Sequence, residues 1–408
     1  MEFKHARLEN GLSVVAEANT EAASLALGFF ARTGSRDETP EVSGVSHFLE
    51  HMMFKGTDRR TPFDVNREFD DMGADYNAST SYENTVYYGA VLPEHQGRLL
   101  DLLSDMMRPL LRKEDFDVEK NVILEEIALY QDQPKFRTYD RLMSEFFRGH
   151  PLSNEILGSE ESIRTMAVED MRAYFRRRYA PGNLTLVGVG NVDFETMVEQ
   201  VREASADWQP MEAPRETAGQ PNRTGMTVVH DAKLAREHLG LMSPAPSCQD
   251  ERRYAAQVLS TVVGDSTGSR LFYALVDPAI ADEASMFYDP LDHAGGFITF
   301  ISADLDRAAE ALRIAREEFR RFMDEGPTES ELSAAKNKIA SSATLKGEIP
   351  MGRLGAVGAD WVYRGEYEPL ADLVERILAV STREVAELAC RCDLDALSVV
   401  ALGPAERL

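Results

Sequence analysis

Two histidines and a glutamate fall within five positions, His47 to His51, inside the otherwise apolar stretch HFLEHMMFKGT. Successive residues of an α-helix turn by about 100°, so positions i and i+4 lie about 40° apart. His47 and His51 therefore project side by side, close enough to grip one ion. Glu50 lies about 60° to the other side of His47, where it reaches a water on that ion without being forced to bind the ion itself. Zinc takes neutral imidazoles, and a catalytic zinc site keeps three protein ligands and one open position. Two ligands are thus accounted for, and a third must come from elsewhere.

The stretch DFDVEKNVILEEIALYQ offers it. With Glu119 set at zero on a helical wheel, Val122, Ile123, Ile127 and Tyr130 cluster within about 80° of it, and Glu126 returns to about −20°. Two carboxylates then lie in the middle of an apolar stripe, where an unpaired charge is strongly unfavourable. Glu125 points about 120° away, toward solvent. Glu126 is the expected third ligand. Glu119, one helical repeat behind it, is expected to support the site or bridge to a ligand.

The elements that must hold these groups are legible as a mixture of strands and helices. LSVVAEA, LALGFFARTG, TVYYGAVL and LTLVGVG read as strands. Helices are expected from about Val45 to Phe54, over HQGRLLDLLSDMMRPLL and over DFDVEKNVILEEIALYQ. Such a mixture indicates an α/β or α+β chain. Residues 209–225, QPMEAPRETAGQPNRTG, carry three prolines and no apolar periodicity, and read as a linker. MTVVHDA and EHLGLMSPA then restart the pattern. Setting Lys120-Asn121 on Lys336-Asn337 aligns two helical stretches without a gap, Met107 falling on Met323 and Phe116 on Leu332. An internal duplication follows, with domains at 1–208 and 226–408. In that register Glu119 meets Ala335 and Glu126 meets Ser342, so only the first copy keeps the unusual groups.

Composition narrows the function. Lys and Arg total 44 against 69 Asp and Glu, a net charge of −25, which argues against nucleic acid as a partner. No apolar run is long enough for a membrane helix, and the first residues lack the pattern of a signal peptide. Cys390 and Cys392 have no second pair to complete a zinc site. With Cys248 they fit a reducing, cytoplasmic setting. His150 reads as a loop histidine, and FRRRY at 175–179 as a solvated helix end. GVGNVD has Asp193 where a dinucleotide loop needs its third glycine.

His-x-x-Glu-His is the inverzincin signature. Together with ASTSYENTVYY, VILEEI, LENGLSVV, RTGSRDE, GHPLSNEILGSEESI and YAPGNLTLVGVGNVD, it makes the chain resemble the pitrilysin/insulinase family of zinc peptidases. Bacterial relatives of the mitochondrial processing peptidase β subunit look closest. The resemblance implies an α+β fold of two homologous α/β-roll domains, each a mostly antiparallel sheet faced by helices, half of a peptidase clamshell. It implies one zinc per chain on His47, His51 and Glu126, Glu50 as general base and Glu119 in support. It also implies a peptide substrate paired with the strand around Asn77, Ala78 and Ser79, near Phe54. Active members carry an Arg and, seven residues on, a Tyr after the SRLF element, and these help hold the substrate carbonyl; here those positions are Val276 and Glu283. The chain is therefore expected to be the metal-bearing subunit of a heterodimer whose partner supplies that pair, a homodimer being the rival. A non-catalytic scaffold subunit and a maturase dedicated to one precursor are the competing functions, and retention of the full metal motif favours a peptidase.

Overall fold

β3 (Leu25–Ala31) is buried at every position, as a strand covered on both faces must be. Around it lie β1 (Glu2–Arg7), β2 (Ser13–Ala18), β4 (Asp75–Thr80), β5 (Thr85–Val91) and β6 (Leu184–Gly190). They form one sheet in the order β1-β2-β6-β3-β5-β4, parallel only between β2 and β6. This computed structural model describes residues 1–215, 217, 219–221 and 223–408.

A second sheet holds β7 (Gly225–His230), β8 (Glu237–Pro244), β9 (Glu283–Leu291), β10 (Ala294–Ala303) and β11 (Ser398–Gly403). Its order is β7-β11-β8-β10-β9, parallel only between β7 and β11. Without β1, the first sheet has this same order and the same parallel pair. The helices agree with the strands. The register that sets Lys120 on Lys336 lays helix Lys113–Gln131 on helix Glu329–Gly347 end to end. Buried Phe116, Glu119 and Ile123 then fall on buried Leu332, Ala335 and Ile339. The chain is α+β, a duplicated sheet with helices on its faces.

The compact units are not consecutive halves, as 1–208 and 226–408 would be. One comprises Met1–Ala128, Asn154–Glu216 and Leu345–Glu368; the other comprises Leu129–Ser153, Thr217–Thr344 and Pro369–Leu408. Helix Pro134–Phe146 packs on β8 and β11, and its repeat counterpart Pro350–Arg364 packs on β3 and β6. At Gly240 on β8 a Cβ would come 2.8 Å from Thr138 Cγ2, so glycine permits that helix to approach. In the first unit, Leu354 and Val357 cover Val15, Phe30, Val187 and Val189 on one face of the sheet. Helices Val45–Met52, Gln96–Met106 and Lys113–Gln131 supply the core on its other face.

Three readings of the sequence need correction. In FRRRY, Arg178 and Tyr179 are buried rather than solvated: Arg178 pairs with Asp37 at 2.9 Å, and Tyr179 meets the Tyr87 hydroxyl at 2.8 Å. Val122 is exposed, because the buried stripe of its helix runs through Phe116, Glu119, Ile123 and Ile127. The start of the expected linker is fastened down, with Ala213 buried and Arg215 paired to Asp37 at 2.7 Å. Glu216, Ala218 and Asn222 of that segment lie outside the described residues. No helix among the described residues is long and apolar enough to cross a membrane.

Candidate metal centre

Helix Val45–Met52 begins at Gly44, whose φ of 88° is the left-handed region that favours glycine. Phe48, Leu49 and Met52 anchor its apolar face. Phe48 stacks on Phe116 with ring centroids 4.6 Å apart, which draws helix Lys113–Gln131 alongside. His51 lies one turn beyond Phe48, and Glu119 one turn beyond Phe116. The stacked rings thus set the register in which imidazoles and carboxylates meet.

His47, His51 and Glu126 converge: one ligand atom from each lies within 4.8 Å of the others. His47 Nε2 is 3.6 Å from Glu126 Oε1, and His51 Nε2 is 3.5 Å from Glu126 Oε2. Ligands about 2.0–2.1 Å from a tetrahedral zinc lie about 3.4 Å apart, so the spacing fits that ion. The donor set of two imidazoles and one carboxylate fits it as well. Glu119 does not join the three. It accepts from His51 Nδ1–H at 2.8 Å and pairs with Lys55 Nζ at 2.6 Å, which leaves His51 Nε2 as the free lone pair.

Electrostatics set these groups apart. Burial, helped by the neighbouring His51, pushes His47 down to about 3, so its imidazole is neutral. Burial would lower His51 too, but the hydrogen bond to Glu119 and the charges of Glu126, Glu119 and Glu50 outweigh it and raise it. Burial raises Glu126 despite His51. Burial also opposes ionisation of Glu119, yet the bonds from His51 and Lys55 hold it below the usual range. Burial lifts Glu50 above the ordinary carboxylate value, partly offset by a hydrogen bond from Thr80 Oγ1 at 2.5 Å.

The remaining candidates do not gather in one place. Asn77, Ala78 and Ser79 lie on β4, the terminal strand of its sheet, and Thr80 at its end joins them to Glu50. Phe54 is partly buried and packs against the core, its ring 6.5 Å from that of Tyr87. Val276 and Glu283 belong to the other unit. Val276 packs against that unit's core, and Glu283 opens β9 paired with Lys135 at 2.6 Å. His150 is buried and accepts from the Leu152 N–H at 3.1 Å, and it stands outside the metal group.

Lys55 and Thr80 were missed in the sequence. Lys55 lies four residues after His51 and so carried a helical-spacing signal. Thr80 carried none, since it reaches Glu50 only through sheet geometry.

Comparison with known proteins gives the family and the fold. Residues 13–160 match the family described as insulinase (peptidase family M16), and residues 165–339 match the one described as peptidase M16 inactive domain. An uncharacterized zinc protease of Streptomyces coelicolor is 30% identical over 94% of this chain and 85% of its own length. One from Bacillus subtilis is 28% identical over 98% of both. Among solved structures, a protease from Helicobacter pylori superposes with a TM-score of 0.93 at 22% identity, covering 99% of each chain. A peptidase M16 inactive domain from Pseudomonas fluorescens gives 0.92 at 18%, covering 99% and 98%. The inactive-domain match lies largely over the second repeat, which lacks the histidine motif. By its relatives over nearly its whole length, the chain belongs to the insulinase family of zinc metallopeptidases, peptidase family M16.

Proposed function

We propose that the chain is a zinc-dependent endopeptidase acting on short or unfolded peptides, and that it is the metal-bearing subunit of a dimeric, processing-peptidase-like enzyme. The observation that carries this reading is the convergence of His47, His51 and Glu126 with Glu50 beside them. Zinc bound there, one per chain, would supply a Lewis acid that polarises the scissile carbonyl and lowers the pKa of water. Glu50 takes the proton of the attacking water and delivers it to the leaving amine. Its raised pKa suits a group that must both accept and return a proton. Thr80 holds one carboxylate oxygen of Glu50, leaving the other for the water. A substrate strand added to β4 along Asn77–Ser79 lies beside this base. The three free cysteines suit a reducing, cytoplasmic setting.

Val276 is apolar and Glu283 is anionic, so neither can stabilise a developing oxyanion. That supports a homologous partner supplying an Arg-Tyr pair. Glu50→Gln is the test of the central role: zinc content should match wild type while peptide cleavage falls by about 100- to 10,000-fold. Cleavage retained in that variant would defeat the reading.

A further inference from the structure

Glu38 takes no part in the chemistry above, yet its buried carboxylate sits at the start of the metal helix. It accepts from the Gly44 N–H and from the Ser46 N–H, each at 2.7 Å. The first N–H groups of a helix have no partner inside it, and Gly44 at the N-cap has no side chain to offer one. The Tyr174 hydroxyl ties the same turn from another side, 2.7 Å from Ser46 Oγ and 2.7 Å from Thr33 Oγ1.

The two histidines depend on this anchorage unequally. A ligating imidazole is ordinarily aimed by a bond to its second ring nitrogen. His51 has that bond, to Glu119. His47 Nδ1 is buried with no hydrogen-bond partner among the described residues. The aim of the His47 ring is therefore set by its backbone and by packing, and Glu38 holds the backbone one residue away.

Resting on the reading of His47, His51 and Glu126 as zinc ligands, we propose that Glu38 is a positioning residue for the metal centre, its carboxylate fixing the first helical turn so that His47 points at the ion. Charge on Glu38 is required, because a carboxylate accepts both N–H groups whereas an amide turns a donor toward one of them. Burial pushes Glu38 up to about 7, against the bonds from Ser46 and Gly44, and the charge of Asp37 adds to the rise. The titratable groups facing it are Asp37, itself paired with Arg178 and Arg215, and the Tyr174 hydroxyl. Below about 7 Glu38 holds a proton and one N–H loses its acceptor, so zinc affinity drops as pH falls through that value.

The experiment is chelator competition for zinc on the full chain from about pH 6 to about pH 8, with wild type, Glu38→Gln and Glu38→Asp. Glu38→Gln should bind zinc about 10- to 100-fold more weakly and lose a pH step near neutrality that wild type shows, with Glu38→Asp between the two. Comparing the variants isolates this step from titration of His51. If the amide variant does not fold, the aspartate variant alone decides. Zinc affinities within about twofold of wild type in the variants, or a pH step that survives in Glu38→Gln, would overturn the role. A wild-type chain that takes no zinc would overturn the metal reading and this assignment with it. The two failures are distinct, since in the first wild type still binds the ion.

Discussion

At the scale of single residues, the site separates groups by what surrounds them. Glu50, Glu119 and Glu126 are the same side chain, yet Glu119 is held ionised by His51 and Lys55 while burial raises the other two. Thr80 is the residue that fixes the rotamer of Glu50, and its loss should be felt in turnover rather than in metal binding. A hydrogen bond to a charged group contributes about 1.5–3 kcal/mol, so Thr80→Val should lower kcat by about tenfold or more, with zinc content unchanged. Thr80→Ser should restore the rate, because it keeps the hydroxyl. Steady-state kinetics beside metal analysis would check this, and a Thr80→Val enzyme turning over at the wild-type rate would remove the role. His47, Glu50, His51 and Glu126 were legible because helical spacing is a local rule. Thr80, and Glu38 with its hold on the first turn, were not, since each meets its partner through a turn of chain that no periodicity encodes.

At the scale of elements, both repeats build the same helix and load it differently. In helix Lys113–Gln131 the buried stripe carries Glu119, which His51 and Lys55 neutralise. In helix Glu329–Gly347 the matching position is Ala335, and the charged contact moves to the first turn. There Glu331 accepts from Arg270 at 2.8 and 3.0 Å and from the Thr328 N–H at 2.7 Å. Burial works against its ionisation, but those bonds bring Glu331 down to about 2, from 4.5. A carboxylate so depressed contributes stability that is complete above about pH 4.5 and is lost as pH falls through about 2. Because the side chain is partly exposed, the contribution is about 1–2 kcal/mol. Glu331→Gln should therefore lower the free energy of urea unfolding by that amount at neutral pH, and the gap from wild type should narrow below about pH 4.5. A gap independent of pH would mean that the residue acts by packing alone. The duplication behind this comparison was legible from one gapless alignment of helices. The exchange of Pro134–Phe146 and Pro350–Arg364 was not, because an apolar helix face records that it is covered and not by which sheet.

At the scale of the whole molecule, the second repeat keeps the fold without the metal groups, so on the proposed reading a chain would carry one ion and would need a partner for the rest of the chemistry. Ser342 stands where Glu126 would be, and no histidine pair occurs in that half. Where the family resemblance places an Arg and a Tyr, this half has Val276, packed against its unit's core, and Glu283, paired with Lys135. Removing a single oxyanion donor lowers kcat by about 100- to 1,000-fold in acyl-transfer enzymes. The isolated chain should thus cleave a fluorogenic peptide at least about 100-fold more slowly than a mixture with a homologous subunit that bears Arg and Tyr at those positions. Zinc content per metal-bearing chain should be the same in both samples, which separates a missing donor from a missing metal. Titrating the second subunit should raise the rate to a plateau at one partner per chain. If the rate of the lone chain already equals that plateau, the oxyanion donor lies within this chain and the dependence on a partner falls.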